Sequence, residues 1–467
     1  MRHFLALLIF LLPITAAGAP PLTYRLSLDY FQEDQSDIQG LIGLSIFYQT
    51  RSGWYFGESI YSGAIGQAGG FFVGGVEVGR TIAIGDYFLD AGLFVGGGGG
   101  AAQVPGDGLM LRPQIHAGYD FDAARLGAGV SWVSVSGSAI NTPTFGLTYT
   151  RDFGLSLAFG QDDKTPSPFQ ITAIKPIARV YFPQDNIKRD GTTLDPMYLL
   201  GTEITFSNNT RRESFIQANG LVAGNAEGYA DWVLGQRWYW GSGPFRVYAD
   251  IGGGSAGGGS VDTGGGLIVA GNIGASYAVN NRFALDASVG MIRSLNGDFM
   301  ALAPTLRASI LFGDGASQRW QVSTGLTQQF PNADFYKPTV THNGQPLMIH
   351  TTIDLFLAEQ TYLTGHAYTA IAGNTGGYQI GLIGIGYVLP LSDRFTVSLE
   401  AHLGAGGGAG VDTQGGLLAG AEIALDYQLS DRLILSAAIG QVRTLSGDGM
   451  QPLTLSAGVK IPLRTFH

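Results

Sequence analysis

The sequence predicts an all-β fold: a transmembrane antiparallel β-barrel of about 24 strands, in three repeats of eight. Three observations carry this. First, one unit of roughly 150 residues occurs three times, and internal repeats fix an architecture before any local reading. Its clearest copies are Gly264 to Val279 and Gly415 to Leu429, with a third at Gly108 to Phe121. Aligned, they bring Leu109, Leu267 and Leu417 together, then Ile115, Ile273 and Ile423, then Tyr119, Tyr277 and Tyr427. Second, apolar residues recur at every second position. Third, charged residues are 13% of the chain, against about 25% in soluble domains.

The chain opens with features of a secretory signal peptide over residues 1–19. Arg2 and His3 give the positive start, Phe4 to Leu12 the apolar run, and Thr15 to Ala19 the small cleavage region. Pro20 is a poor residue just after a cut, so cleavage is expected after Ala17 or Gly18. A spanning helix needs about 20 apolar residues, more than this run supplies. Cysteine is absent, which excludes disulfides, thiol catalysis and thiolate metal sites. The formal charge is −10; loss of Arg2 leaves 25 basic against 36 acidic residues, or −11. That balance argues against a nucleic-acid partner.

The strands then read as dyads. Tyr87, Leu89, Ala91, Leu93 and Val95 share one face, with Phe88, Asp90, Gly92 and Phe94 on the other. The second copy points Phe245, Val247, Ala249 and Ile251 outward and Arg246, Tyr248, Asp250 and Gly252 inward. The third points Phe395, Val397, Leu399, Ala401 and Leu403 outward, and Thr396, Ser398, Glu400 and His402 inward. Further on, Leu417, Ala419, Ala421, Ile423, Leu425 and Tyr427 face out, while Leu418, Gly420, Glu422, Ala424, Asp426 and Gln428 face in. A slip of one residue would place the acids in lipid, so the register is strongly specified.

Strands in the third copy are expected near 318–330, 346–357, 361–371, 377–389, 394–404, 415–429, 432–443 and 452–463. Short connections (Ala358 to Gln360, Ser392-Asp393, Ser430-Asp431) alternate with long ones (Pro331 to Gln345, Gly404 to Gln414). The repeats are bounded at 20–152, 153–313 and 314–467. The segment Arg151 to Phe169 fits either a long turn or an extra hairpin, which leaves the count open by two.

These dyad strands, the tyrosine girdle at Tyr119, Tyr277 and Tyr427, and the end Leu455 to His467 resemble bacterial outer-membrane β-barrel proteins. The resemblance covers everything after the signal. It implies short periplasmic turns, long outside loops, both chain ends on the periplasmic side, residence in the outer membrane, and contact with outer-membrane lipids, lipopolysaccharide and the barrel assembly machinery. Each unit resembles the small eight-stranded barrels in length and layout.

Two closures fit. In one, each repeat closes alone, so 318–330 pairs with 452–463. In the other, a single wide barrel forms and 318–330 pairs with 302–312. A wide lumen wants many charges, whereas the inward faces here mix Gly, Ala and Ser with isolated opposite charges, read as Arg246 with Asp250 and Arg112 with Asp120. Three fused barrels are therefore favoured over one ring.

The Gly-rich segments Gly96 to Gly100, Gly252 to Gly259 and Gly404 to Gly410 lack the Lys-Ser/Thr of a phosphate loop. They read as outside loops or strand ends where backbones approach closely. Asp262-Thr263-Gly264 resembles an aspartic-protease motif, but the matching copy is Asp412-Thr413-Gln414. The repeat-equivalent acids Asp90, Asp250 and Glu400 are binding candidates, each more simply an interior charge paired with arginine; Arg246 and Glu422 join them as inward candidates. Arg293 and Arg443 could meet lipopolysaccharide phosphates or sugars, or pair with Asp298 and Asp448. His342 and His350 beside Ser or Thr admit a lipid-A hydrolase, yet no Ser/His/acid set recurs. No catalytic residue, metal ligand or cofactor is assigned. The expected function is a non-enzymatic outer-membrane barrel, structural or ligand-binding, with a link to surface polysaccharide handling suggested by analogy of architecture alone. The alternatives are a wide porin-like channel and a lipid-A-modifying enzyme.

Overall fold

The computed structural model describes residues 21–465, apart from 32–35, 105, 122–123, 157–169, 185–186, 210, 313–317 and 342. The expected signal peptide, His342 and the last two residues lie outside the described residues, as do residues 157–169 of the segment where an extra hairpin was considered.

The first barrel comprises β1 (Pro21–Tyr30), β2 (Ile38–Gln49), β3 (Trp54–Gly66), β4 (Phe72–Ile84), β5 (Tyr87–Gly99), β6 (Met110–Asp120), β7 (Arg125–Val135) and β8 (Asn141–Ser156). The second comprises β9 (Gln170–Pro183), β10 (Met197–Asn209), β11 (Arg212–Ala223), β12 (Ala230–Trp240), β13 (Phe245–Gly257), β14 (Leu267–Ala278), β15 (Phe283–Ser294), β16 (Met300–Leu302) and β17 (Thr305–Leu311). The third comprises β18 (Gln318–Phe330), β19 (Leu347–Phe356), β20 (Thr361–Ala372), β21 (Gln379–Pro390), β22 (Phe395–Gly407), β23 (Leu417–Ser430), β24 (Leu433–Thr444) and β25 (Leu453–Thr465). The expected strands of the third copy agree with these to within a few residues. The repeat boundary set at 152/153 falls inside β8, which runs on to Ser156.

Each repeat closes on itself. β1 pairs with β8 (Leu26 opposite Tyr149), and β18 with β25 (Leu326 opposite Ala457). In the middle repeat, β9 pairs with β10 on one side and with β16 and β17 on the other. β16 and β17 are one stave, since both also pair with β15. Pro304, which has no N–H to give a ladder, interrupts it. The single wide ring is thereby corrected: 318–330 pairs with the last strand of its own repeat, not with 302–312. Closure removes every free edge, which hydrocarbon demands of a strand-built span.

Alternation places the apolar faces outside. Ile273, Leu285, Leu306, Ile423 and Leu425 are exposed on the barrel walls, as lipid-facing residues should be. At the turn ends, Tyr87 lies 5.4 Å from Tyr119 and Phe395 5.0 Å from Tyr427, ring to ring. Phe245 is in register with Tyr277. The girdle thus recurs in all three barrels, at the level where amphipathic rings meet headgroups.

At the loop ends, connections fold inward and carry apolar side chains into the mouth. Phe71, Val104 and Met110 belong to one such buried cluster, Tyr229, Val261 and Ile268 to the next, Tyr378, Val411 and Leu418 to the third. Phe71, Tyr229 and Tyr378 are repeat-equivalent, as are Met110, Ile268 and Leu418. Every barrel is therefore plugged at the same end by the same kind of residue.

The barrels pack against one another in a head-to-tail cycle. The third strand of each meets the fifth of another: β3 lies on β13 and β14, β11 on β22 and β23, and β20 on β4 and β5. A heterologous contact repeated this way closes into a ring, here a pseudo-three-fold one within a single chain. The Gly-rich segments build its seams. A Cβ on Gly257 would sit 2.2 Å from the Gly70 nitrogen, one on Gly99 2.9 Å from the Gly377 nitrogen, and one on Gly407 3.1 Å from Gly228 Cα. Gly377 N–H donates to Gly98 carbonyl oxygen at 2.9 Å, and Gly69 N–H to Gly264 at 2.8 Å. Deeper in, Trp232 packs with Leu44 and Phe72 and donates from Nε1 to Ser62 Oγ at 3.2 Å. Residues of all three barrels, including Leu22, Ile216, Trp320 and Leu463, share one apolar cluster. Glu58, on the outer face of β3, accepts a hydrogen bond from Thr351 of the third barrel at 2.9 Å.

Candidate functional site

Below each plug lies a polar layer that fills the barrel, and its composition differs among the three. In the first barrel, Arg25 on β1 reaches Glu77 at 3.1 Å and Asp90 at 3.0 Å. Tyr55 donates to Asp90 at 3.0 Å, and Thr81 at 2.8 Å. Arg112 donates to both oxygens of Asp29 from Nη2, at 2.8 Å each. Gln114 donates to Glu77.

In the second barrel, Arg237 grips Glu203 at 2.6 and 2.9 Å and Asp250 at 3.0 Å. Lys175 on β9 lies 3.4 Å from both Glu203 and Glu213. Asn272 donates to Asp250 at 2.6 Å. Arg112 and Arg237 rank among the largest fully buried side chains. Such pairs require good geometry to offset their desolvation, and the bidentate contacts supply it.

The third barrel departs from this pattern. Glu400 has no arginine. Its Oε2 is instead 2.8 Å from Nε2 of His366 and 2.8 Å from Nε2 of His402. Its Oε1 accepts from Tyr362 at 2.6 Å. Nδ1 of His366 is 3.0 Å from the Tyr368 hydroxyl. Lys460 is engaged by Asp426 at 3.0 Å. A cavity of about 20 Å³ opens beside this group, lined among others by Ser323, His366, Glu400, Glu422 and Lys460.

The structure brings some expected partners together and separates others. Asp90 and Asp250 are interior and arginine-paired, as read. Their partners, however, lie on neighbouring or facing strands. The Arg112–Asp120 and Arg246–Asp250 pairings are corrected: Arg112 binds Asp29, and Asp250 binds Arg237. Four residues along a strand span about 13 Å, too far for a side-chain pair, whereas adjacent strands sit about 5 Å apart. Arg246 stands over the Tyr239 ring, 4.3 Å from its centroid. The arginine expected for Glu400 is replaced by two histidines. Asp90, Asp250 and Glu400 lie in separate barrels, so they form no common ring, and their reading as repeat-equivalent is corrected: with Tyr119, Tyr277 and Tyr427 aligned, Gly92 stands where Asp250 and Glu400 stand, and Asp90 lies two residues earlier.

Arg293 and Arg443 are exposed on the outer walls near the loop ends. Among the described residues neither forms an ion pair with Asp298 or Asp448, which corrects the loop-pair reading. Thr263 and Thr413 of the Asp-Thr motifs are buried, and their carbonyls accept from Ser294 and Thr444 at 2.9 Å each. The motif is a loop anchor. His350 faces the third interior, with Nδ1 2.8 Å from Thr327 Oγ1. His366 and Ser323 escaped sequence reasoning altogether, although the dyad pattern of their strands was available to place both inward.

No family model and no curated protein matches the sequence. Among solved structures, Pseudomonas aeruginosa OpdQ is similar at 12% identity, with 94% of this chain and 96% of that chain covered and a TM-score of 0.22. Pseudomonas aeruginosa OccK5 (OpdH) matches at 10% identity, 96% and 99% coverage and a TM-score of 0.24. The ferric citrate transporter FecA, unliganded, matches at 11% identity, 96% and 79% coverage and a TM-score of 0.28. Scores this low leave the class to be read from the molecule itself: closed strand pairings, apolar outer walls and aromatic girdles. By those features the chain is an outer-membrane β-barrel protein.

Proposed function

We propose that this outer-membrane β-barrel protein is a non-enzymatic, non-conducting envelope component, a rigid three-barrel unit that meets its partners at its surface. One observation carries the reading: each repeat closes alone, and each interior is filled by buried ion pairs beneath an apolar plug. Eight staves enclose only enough room for side chains. Partners are then outer-membrane lipid along the belt, lipopolysaccharide phosphates at the exposed Arg293 and Arg443, surface polysaccharide at the loop face, and the barrel assembly machinery during biogenesis. Arginine suits a phosphate because its fork matches the anion.

Planar-bilayer recording tests this. Purified, folded protein is expected to give a flat baseline without discrete openings. Large steps that persist across preparations, and that lose cation preference in Asp90→Asn/Asp250→Asn/Glu400→Gln, would establish a wet lumen and refute the reading.

A further inference from the structure

The repeat allows each interior position of the third barrel to be compared with its counterparts. Strand register fixes the correspondence. Arg25 pairs with Ser45, which pairs with Ser59. Lys175 pairs with Glu203, which pairs with Gln217. Ser323 pairs with Thr352, which pairs with His366. Ser59, Gln217 and His366 each precede a plug aromatic (Phe71, Tyr229, Tyr378) by the same interval. Arg25, Lys175 and Ser323 are therefore the same position. By the alignment of Ile115, Ile273 and Ile423, Gln114, Asn272 and Glu422 are also one position.

Two changes thus coincide in the third barrel. A first-strand cation becomes Ser323, and an amide that donates to an acid becomes the acid Glu422. Both residues line the cavity. Among the described residues no hydrogen bond or ion pair engages the Glu422 carboxylate. The first-strand cation has shifted to the adjoining last strand, where Lys460 stands opposite Ser323 as Thr150 stands opposite Arg25, so the net change here is one added negative charge. In the same layer it has gained two imidazoles, His366 for Ser59 and Gln217, and His402 for Phe94 and Gly252.

We propose that the third barrel holds one divalent transition-metal ion between His366 Nε2, His402 Nε2 and Glu400, with Glu422 facing the remaining side across the cavity. The ligand atoms already lie within 4.8 Å of one another. Around a tetrahedral Zn²⁺, nitrogen and oxygen ligands stand about 3.3 Å apart, so the 2.8 Å contacts of Glu400 open by about half an ångström while the two imidazoles, at most 4.8 Å apart, draw together. The cavity of about 20 Å³ is of the size that holds a single water or ion. Tyr368 at His366 Nδ1 is the outer hydrogen bond that orients a ligating imidazole. Imidazole with carboxylate selects zinc-like ions over Mg²⁺ or Ca²⁺. The added carboxylate of Glu422 leaves this layer more negative than its counterparts, and a bound cation offsets that charge.

Metal analysis of the full chain, refolded in detergent with Zn²⁺ and dialysed, tests the site. One Zn²⁺ per chain is expected. It should fall at least tenfold in His366→Asn/His402→Asn and in Ser323→Arg, the latter placing a fixed cation in the cavity beside Glu400 and Glu422. A folded wild type without bound Zn²⁺, or a folded double variant that retains it, overturns the proposal. If both variants fail to fold, Co²⁺ loaded into the wild type decides. Intense visible bands of a tetrahedral nitrogen–oxygen site support it, and weak octahedral bands refute it.

Discussion

Substitution of Arg112 by methionine exposes how much the interior pairs contribute. Arg112 and Asp29 are both fully buried. Two charge-assisted hydrogen bonds at 2.8 Å join them. A third bond runs from Nη1 to Tyr61 at 3.1 Å, and the guanidinium stands 4.8 Å from the Tyr61 centroid. Among the described residues Asp29 has no other cation. Each charge-assisted bond is worth about 1.5–3 kcal/mol, so the two sum to about 3–6 kcal/mol. Removal of one partner of a buried pair costs about 3–5 kcal/mol, which agrees. Asp29→Leu alone should cost a similar amount. The double variant Arg112→Met/Asp29→Leu should recover most of it, because no charge is then stranded. Urea unfolding in lipid vesicles, followed by tryptophan fluorescence, gives the three values. A double variant whose loss equals the sum of the singles would show that the pair does not act as a unit and would sink this account.

The seams and the orientation are open to equally direct tests. Gly257→Val should wedge the first and second barrels apart at Gly70 while each barrel still closes, so the folded gel form should persist with a midpoint lower by several degrees; an unchanged midpoint would contradict the close approach. Single cysteines at Asp298 and Ser446, near the loop ends, should react with an impermeant thiol reagent on whole cells, whereas those at Asn281 and Asp431, in the turns, should not. The reverse pattern would invert the orientation.

Strand placement was legible because the signal is local. Each strand carries its own dyad, and a one-residue slip would expose Asp90, Asp250 or Glu400 to lipid. Closure was legible only as a preference, drawn from the small, nearly neutral inward faces. The ion-pair partners were misread because sequence proximity suggests Arg246 for Asp250, while a barrel wall brings Arg237 beside it. The register match of Ser323 with Arg25 was hidden by the longer loop between β18 and β19, which shifts the first strand against the rest of the repeat. The seams were hidden for another reason. Gly257 and Gly70 are far apart in sequence, and a glycine without a side chain announces only that something approaches. What approaches is decided by the packing of whole barrels.

The three-barrel cycle also changes what a single substitution can do. In an assembly of identical subunits, a new residue in one barrel appears in every barrel at once, and a harmful change is tripled. Here the barrels are written consecutively into one chain, and stoichiometry and order are set by covalent bonds. A mutation is then local: Ser323 and Glu422 can depart from the arginine, lysine and amides kept by their counterparts while two unaltered barrels go on supporting the common seams. A single chain of this kind lets its parts differ independently, and the interior of the third barrel is one place where they do.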